Sequence, residues 1–401
     1  MSTATVRTVL PLSLVTGTSM LAMDLYLPAV PVLQAQLGIG VAAAQATVAI
    51  FLAGLAASQL VWGEALNRLG PRRCLQWGVG ALVLASVVCA LAPGIKTLLV
   101  MRLVQGIAAG AATVIAPSVV RATLSDTDLV RGIAAISMVE AVVPAAGPAL
   151  GALLLQLIDW RGLFWIVAGI ALAVLPFVVR VAPARLPGLD QSARSGWRDI
   201  LRNRRFMRLA LSHALCVGAL LMFVASAPQL MANALHLPPS AFAALQVVGV
   251  GAFIVMASQS GRIARRLGNG GAVHLGAWIQ LGLCSTLLAG AAATTLPYAA
   301  IAVFWAGFCG ALAVRGPPAF GDALTLPPEQ LGRASALLVL ALLCIGSLGT
   351  QLVAPFMAGD SIVPLAAAML AMLLASIVLV LPYPPRPATP GMLPAARHAE
   401  R

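Results

Sequence analysis

The sequence predicts an all-α integral membrane protein of about 12 transmembrane helices, arranged as two six-helix halves. Three observations carry this prediction: the composition, a series of apolar segments, and an internal repeat. Of the 401 residues, 60% are apolar and only 9% are charged. Soluble domains carry roughly 25% charged residues. Most of the surface of this chain must therefore face lipid.

Twelve apolar segments are long enough to cross a membrane, since a helix needs about 20 apolar residues to span the hydrocarbon core. The predicted spans are 8–30, 41–62, 74–93, 97–119, 132–157, 161–182, 209–231, 241–261, 271–293, 296–318, 332–356 and 362–383. These segments predict a multi-pass membrane protein.

The basic residues predict the orientation. Of the 25 Lys and Arg residues, 21 fall in the tails and loops on the side of the N-terminus, and two fall on the opposite side. Because cytoplasmic loops carry the excess of basic residues, both termini are expected in the cytoplasm. The remaining two, Arg102 and Arg315, lie within spans, and Arg315, near the inner end of its span, could extend its charged group to the interface.

An internal repeat relates the two halves of the chain. The loop after the second span reads GEALNRLGPRR from Gly63, and the loop after the eighth reads GRIARRLGNGG from Gly261, 198 positions later. Such a repeat is typical of transporters built from two parallel halves. It predicts one half at 1–182, a linker at 183–208, a second half at 209–383 and a tail at 384–401.

Charge and cysteine usage exclude other classes of protein. The net charge of +13 includes eight Arg residues between Arg180 and Arg208, a stretch best explained by contact with anionic lipid headgroups. With only Trp197 and Phe206 as aromatic residues there, no nucleic-acid partner is expected. The six cysteines are scattered singly, so no metal site, cofactor or disulfide framework is expected. No enzyme motif is present.

Two acidic residues lie at membrane depth, Asp24 and Glu140, where a carboxylate is costly unless it serves a function. Asp24 lies about 10 Å below the end of its span and Arg102 about 7 Å, so neighbouring helices could bring the two together. We expect Asp24, Arg102 and Glu140 to take part in proton coupling. The alternatives are a static salt bridge for the first pair, and a position at the wet mouth of a cavity for Glu140.

Several stretches resemble the major facilitator superfamily. Residues 63–73 resemble its loop signature between helices 2 and 3, and 102–106 resemble its helix 4 motif. Residues 147–151 resemble the helix 5 motif associated with antiporters. Residues 24–31 and 226–230 are similar to the bicyclomycin/chloramphenicol efflux branch.

The resemblance implies drug/proton antiport by alternating access at the inner membrane of a bacterium. Asp24 would be the proton-responsive residue and Arg102 its neighbour. The residues implied in the rocking of one half against the other are Gly63, Asn67, Arg68, Gly70, Arg72, Gly147, Pro148 and Gly151. The family has Asp where this chain has Asn67, which is expected to weaken a charge interaction with nearby helix ends.

The expected substrate is a small, largely apolar drug such as a phenicol, because polar residues at membrane depth are sparse in the sequence. Met20 and Met23 lie near Asp24, and Phe223 and Ser226 are expected to line the same cavity, although each could equally pack helices or face lipid. The alternative is an exporter or importer of a metabolite, such as an amino acid or sugar derivative. A third alternative, a membrane sensor that does not transport, would be expected to carry an appended soluble domain. The expected partners are the drug, protons and membrane lipid, and the chain is expected to be a monomer.

Overall fold

A computed structural model describes residues 3–124, 126–185, 197–359 and 361–382, and the regular structure within these ranges is helical. The helices are α1 (Thr3–Asp24), α2 (Val30–Leu37), α3 (Val41–Ala90), α4 (Ile95–Thr123), α5 (Asp126–Leu154), α6 (Trp160–Val181), α7 (Trp197–Arg202), α8 (Arg204–Asn233), α9 (Pro239–Ala293), α10 (Tyr298–Ala323), α11 (Pro328–Val353) and α12 (Val363–Val380). Short 3-10 turns lie at Leu27–Ala29 and Ala354–Ala358.

Two of these helices are about twice as long as a membrane requires. The helix α3 has 50 residues and α9 has 55, and each contains one glycine outside the helical region. Gly70 has φ 77° and ψ 163°, and Gly268 has φ 73° and ψ 164°. This backbone conformation is essentially restricted to glycine. The same break therefore occurs 198 positions apart, as the sequence repeat predicts.

The breaks account for the number of spans. In the described part of the chain, ten helical stretches are long and apolar enough to cross a membrane, and α3 and α9 each supply two spans. The twelve predicted spans are thus present. The prediction of loops at 63–73 and 262–270 is wrong in one respect. Both segments are helical apart from one glycine each, because a single left-handed residue is sufficient to redirect the chain.

Two other boundaries also differ from the prediction. The first span does not end at residue 30, because Pro28 and Pro31 stand at the starts of a 3-10 turn and of α2, which carries the helical path to Leu37. The seventh span begins at Arg204 instead of residue 209, and α7 lies within the predicted linker. Residues 186–196 of the linker and the predicted tail at 384–401 lie outside the described residues.

The helices pack into two groups that meet along two seams. In the first group α3 packs on α4 and α6, and α1 packs on α5. In the second, α9 packs on α10, and α8 packs on α11 and α12. The groups meet where α3 contacts α11 and where α5 contacts α9. Across the first seam, Ser347 Oγ donates a hydrogen bond of 2.7 Å to the carbonyl of Ala49.

The bundle has two distinguishable ends. The linker end carries both glycine breaks: Gly70 faces Ala184, while Asn269 donates to Asp322 at the end of α10. Helix α7 lies there too, with the Arg333 guanidinium 5.6 Å from the Trp197 ring. The opposite end, called the distal end, carries Pro28, Pro31 and the start of α9. Ser347 and Ala49 lie in the distal parts of their helices.

Candidate transport site

Asp24 closes α1 and is 8% exposed. Helix α5 presents glycines to it. A Cβ added to Gly147 would lie 2.7 Å from the Asp24 Cβ, and one added to Gly151 would collide with the carbonyl oxygen of Leu25. Glycine at spacing four on one helix face allows two helix backbones to approach closely. The helix 5 motif, including buried Pro148, is therefore in contact with the backbone that carries Asp24.

The Asp24 carboxylate has no charged partner among the residues that the structure describes, and it forms neither an ion pair nor a hydrogen bond with them. Ion pairs elsewhere in these residues include Arg68–Glu64, Arg131–Asp128 and Arg161–Asp159. An ionised carboxylate buried without a partner carries a large desolvation cost, which a bound proton removes. The site can therefore exchange a proton without breaking a salt bridge.

Arg102 lies beside α1 but bonds to its backbone instead of to Asp24. Its Nη1 donates 2.9 Å to the carbonyl of Ala22 and 2.7 Å to Gln105 Oε1, and its Nε donates 3.1 Å to the carbonyl of Thr47. The expected proximity of Arg102 and α1 is found, but a direct charge pair with Asp24 is not. Ala22 and Asp24 are two positions apart, about 200° around the helix, so they face different neighbours.

Aromatic rings complete the surroundings of Arg102, which is fully buried. Its guanidinium carbon lies 4.4 Å from the ring centres of both Tyr26 and Phe51 and 5.7 Å from that of Phe164. The Tyr26 hydroxyl lies 2.7 Å from Thr47 Oγ1. Cation–π contacts and hydrogen bonds to carbonyls replace an acidic counter-ion here. Arg102 thereby ties α1, α3 and α4 together.

Glu140 is half-buried on α5, two turns from Gly147 on the same helix face. In the described ranges it has no ion pair or hydrogen bond of its own. It lies on the linker side of Gly147, since α5 runs from the linker end to the distal end. The structure thus places Glu140 on the same seam of α1 and α5 as Asp24, but at a different depth.

The four residues expected to line a cavity lie in two places. Met23 is buried and Met20 half-buried on α1, next to Asp24 in sequence. Phe223 and Ser226 are fully buried on α8, in the other half. Phe223 stacks on Trp305 with 4.4 Å between ring centres. Ser226 Oγ is buried without a hydrogen-bond partner in the described structure.

The predicted switch loop is attached to the end of α6. A Cβ on Gly70 would collide with the carbonyl oxygen of Ala184. The Arg72 backbone N–H donates 3.2 Å to the carbonyl of Pro183, and its Nε donates 3.0 Å to that of Ala182. Gly63 is half-buried and Asn67 exposed, while Arg68 pairs with Glu64 at 2.8 Å on the surface. Gly70 and Arg72 thus attach the loop to residues 182–184, which follow α6 in the same half.

The expectation for Arg315 is wrong, because this residue is fully buried instead of extending to the interface. Its Nη2 donates 3.0 Å to Oγ of both Ser212 and Ser376, and its Nη1 donates 3.3 Å to Gln280 Oε1. Four helices, α8, α9, α10 and α12, meet at this group. A position near a span end was the only available sequence signal, and it cannot distinguish a lipid-facing helix surface from a buried one.

The second half also buries polar groups that the sequence interpretation treated as sparse. Six side chains of this half have a buried polar atom without a hydrogen-bond partner among the described residues: His213 Nδ1, Ser226 Oγ, both side-chain atoms of Gln229, Gln246 Oε1, Trp305 Nε1 and Arg315 Nε. On α8, Phe223, Ser226 and Gln229 follow one another at intervals of three, which is a pattern that a sequence can reveal. The corresponding partners on α9 and α10 are visible only in the fold.

A helical bundle with two repeated halves and long apolar helices defines a polytopic membrane protein. A match to the Major Facilitator Superfamily covers residues 12–350. The chain belongs to this family.

Two similar proteins of Escherichia carry a name. The chain is 28% identical over 232 residues to the "Multidrug resistance protein MdtL" of Escherichia fergusonii and likewise to that of Escherichia coli, and the match spans 57% of this chain and 59% of each relative. The chain therefore aligns with less than two thirds of the length of these relatives.

Solved structures share the fold. A bacterial homologue of the human lysosomal transporter Spinster, in an inward-facing and unoccupied conformation, superposes with a TM-score of 0.72 at 14% identity, over 95% of this chain and 96% of that one. A D-xylose–proton symporter gives a TM-score of 0.70 at 15% identity, over 92% and 96%. At such identities the likeness concerns the fold alone.

Proposed function

We propose that this chain exports small, largely apolar drugs, phenicols among them, in exchange for protons, and that it belongs to the bicyclomycin/chloramphenicol efflux branch. It would act in the inner membrane of a bacterium with both termini in the cytoplasm. The observation that carries the proposal is the buried Asp24 carboxylate, which has no partner in the described structure and lies against Gly147.

The proposed coupling works through the contact between α1 and α5. A charged Asp24 needs water or a polar ligand, so the ionised form favours a conformation in which the cavity opens to the side chain. A protonated Asp24 tolerates close packing between helices. Since Gly147 contacts Asp24, a change in the protonation of Asp24 acts directly on the packing of α5 against α1. Arg102 holds the backbone of α1 and keeps a positive charge in the same region.

The relatives and the loop support the same proposal. The MdtL relatives are named multidrug resistance proteins. Gly70 and Arg72 would make the segment after α6 move with the first half during rocking. Glu140 would serve as a second proton-binding group on the path between the linker end and Asp24.

The experiment is drug accumulation in an efflux-deficient bacterium that expresses the chain, using chloramphenicol with and without an uncoupler. The expected result is low accumulation that rises when the uncoupler is added. Asp24→Asn should express and fold but lose this pH-driven exclusion. Asp159→Asn is the matched control, because Asp159 caps α6 and Asn is an equally good capping residue. Proton-driven export that persists in Asp24→Asn would contradict the role of Asp24.

A metabolite exporter or importer of the same fold is the second candidate. The buried unpaired amides of the second half favour it, since a polar metabolite would use them. Unchanged chloramphenicol accumulation in the experiment above would decide for this candidate.

A further inference from the structure

Two helix faces of the second half lead from a cavity to an aromatic stack. The cavity, about 220 Å³, lies at the distal end between Pro28 and Pro31 of the first half and Ala232 and Phe242 of the second. On α8, residues follow from the cavity inward at spacing three: Ala232, then Gln229, Ser226 and Phe223.

The matching face on α9 runs through Phe242, Gln246 and Gly249, which lie within about one third of a turn of each other. Phe242 lines the cavity. A Cβ on Gly249 would collide with Nε1 of Trp305, and Trp305 stacks on Phe223. The faces of α8 and α9 are thus joined at one end by the cavity and at the other by the stack. Gln229, Ser226 and Gln246 lie between these two points.

The polar groups along these faces are unpaired in the described structure. Both polar side-chain atoms of Gln229 lack a partner. So do the Ser226 hydroxyl, the Gln246 amide oxygen and the Trp305 indole N–H. Each of these side chains is at most 3% exposed. Buried polar groups in native proteins nearly always have partners, so several unpaired ones at one place call for a partner that is absent from this conformation.

The conformation explains why the partner would be excluded. The hydrogen bond from Ser347 to Ala49 joins the halves in their distal parts, and the cavity is smaller than the roughly 300–1,000 Å³ of ordinary ligand sites. The polar faces are therefore closed at the distal end. Separation of the halves there would give the groups access to a ligand.

We propose that Gln229, Gln246, Ser226 and Trp305 form a neutral hydrogen-bonding subsite that selects uncharged substrates carrying amide or hydroxyl groups over lipophilic cations. No acid lies among these four residues, so a lipophilic cation finds no counter-charge there, and one without hydrogen-bonding groups leaves the amides and the hydroxyl unpaired. The two amides each offer a donor and an acceptor, which matches a substrate with both. This inference rests on the proposed drug export and adds the substrate class.

The experiment uses the full chain purified in lipid nanodiscs, with binding measured by titration calorimetry. The probes are chloramphenicol, which is uncharged and carries an amide and hydroxyls, and tetraphenylphosphonium, a cation without hydrogen-bonding groups. Gln229→Met and Gln246→Met should each weaken chloramphenicol binding about two- to tenfold, the effect of one lost hydrogen bond, and leave tetraphenylphosphonium unchanged. Gln351→Met, at an exposed position of α11, is the matched control and should change neither.

Folding is controlled in two ways. The amides have no partner in the closed state, so their replacement by Met should not lower the thermal unfolding temperature. Trp305→Phe removes only the indole N–H and keeps an aromatic ring against Phe223, and it should likewise weaken chloramphenicol binding alone.

The outcomes separate this inference from the proposed function. Unchanged chloramphenicol binding in the variants, or equal loss of both probes, overturns the subsite. A native protein that binds tetraphenylphosphonium but not chloramphenicol also overturns it and leaves drug export standing. A native protein that binds chloramphenicol through these residues but does not export it contradicts the proposed function alone, and one that binds neither probe contradicts both.

Discussion

Gly147 of α5 lies directly against Asp24 of α1, so that a Cβ on residue 147 would sit 2.7 Å from the Asp24 Cβ. Real Cβ atoms do not approach that closely, and one of the two helices would have to move. The helix 5 motif and the buried acid therefore form one structural unit. In the sequence the two are separate features, 123 positions apart.

Gly147→Ala is expected to push α5 away from α1 and abolish transport while the chain still inserts and folds. Gly151→Ala should be more severe, because its Cβ would meet the backbone carbonyl of Leu25, which cannot rotate away. The measurement is drug export together with gel filtration of the purified variants. Gly169→Ala in α6 is the control, since nothing lies within 4 Å of its added Cβ. Normal export by Gly147→Ala would show that the close contact is dispensable.

Gly70→Ala and Gly268→Ala are expected to lower thermal stability, because both glycines have a backbone conformation that costs other residues about 1–3 kcal/mol. Gly70→Ala should cost more, since its Cβ also meets Ala184. Gly63→Ala, at a helical site with free space, should stabilise the chain by about 0.5–1 kcal/mol. Unfolding temperatures of the three variants test this order, and equal values for all three would contradict it.

Arg102→Lys is expected to destabilise the first half, because an ammonium group cannot reach Ala22, Thr47 and Gln105 together or stack on two rings. Each buried carbonyl left without a donor should cost about 1–3 kcal/mol. The exposed Arg121 provides the control as Arg121→Lys. The measurement is the unfolding temperature in detergent, where a native value for Arg102→Lys would exclude a structural role for the guanidinium.

Ser347→Ala is expected to open the distal end more often, because it removes the hydrogen bond to Ala49 that joins the halves. A net contribution of about 0.5–1.5 kcal/mol corresponds to a shift of two- to tenfold in the closed population. The readout is the labelling rate of Ala232→Cys in the cavity by a maleimide that cannot cross membranes, with Cys344 replaced by Ser.

The control for this shift is Ser376→Ala, which breaks bonds within the second half only. Faster labelling in Ser347→Ala alone is expected. Equal rates in both variants would mean that the bond between the halves does not hold the distal end closed.

The sequence predicted the number of spans because the thickness of the lipid core sets the length of each span. It predicted the repeat because the glycine-containing segments recur at a fixed spacing. It also placed Asp24 and Arg102 at similar depths. It could not predict that Arg102 bonds to Ala22 on another side of α1, because rotation about a helix axis depends on packing. For the same reason the sequence does not reveal that Arg315 is buried, where it donates to Ser212 and Ser376.

The unpaired amides show the other limit of sequence analysis. Gln229 and Gln246 are 17 positions apart and on different helices, and only Gln229 stands in a stretch with a family resemblance, at 226–230. Only the packing of α8, α9 and α10 shows that both lie near the Phe223–Trp305 stack. The number of amide side chains at membrane depth appears small in the sequence, because no predicted span holds more than two.

The counter-ion-free setting of Arg102 has an electrical consequence. A guanidinium keeps its charge at every accessible pH, so the Asp24–Arg102 region carries no net charge when Asp24 is ionised and one positive charge when Asp24 holds a proton. Membrane voltage acts on that difference with up to about 2.3 kcal/mol per 100 mV for a charge that crosses the full field. In the proposed proton exchange, movement of the protonated protein between its two open states would then be electrogenic, and voltage as well as the proton gradient would set the direction of the cycle.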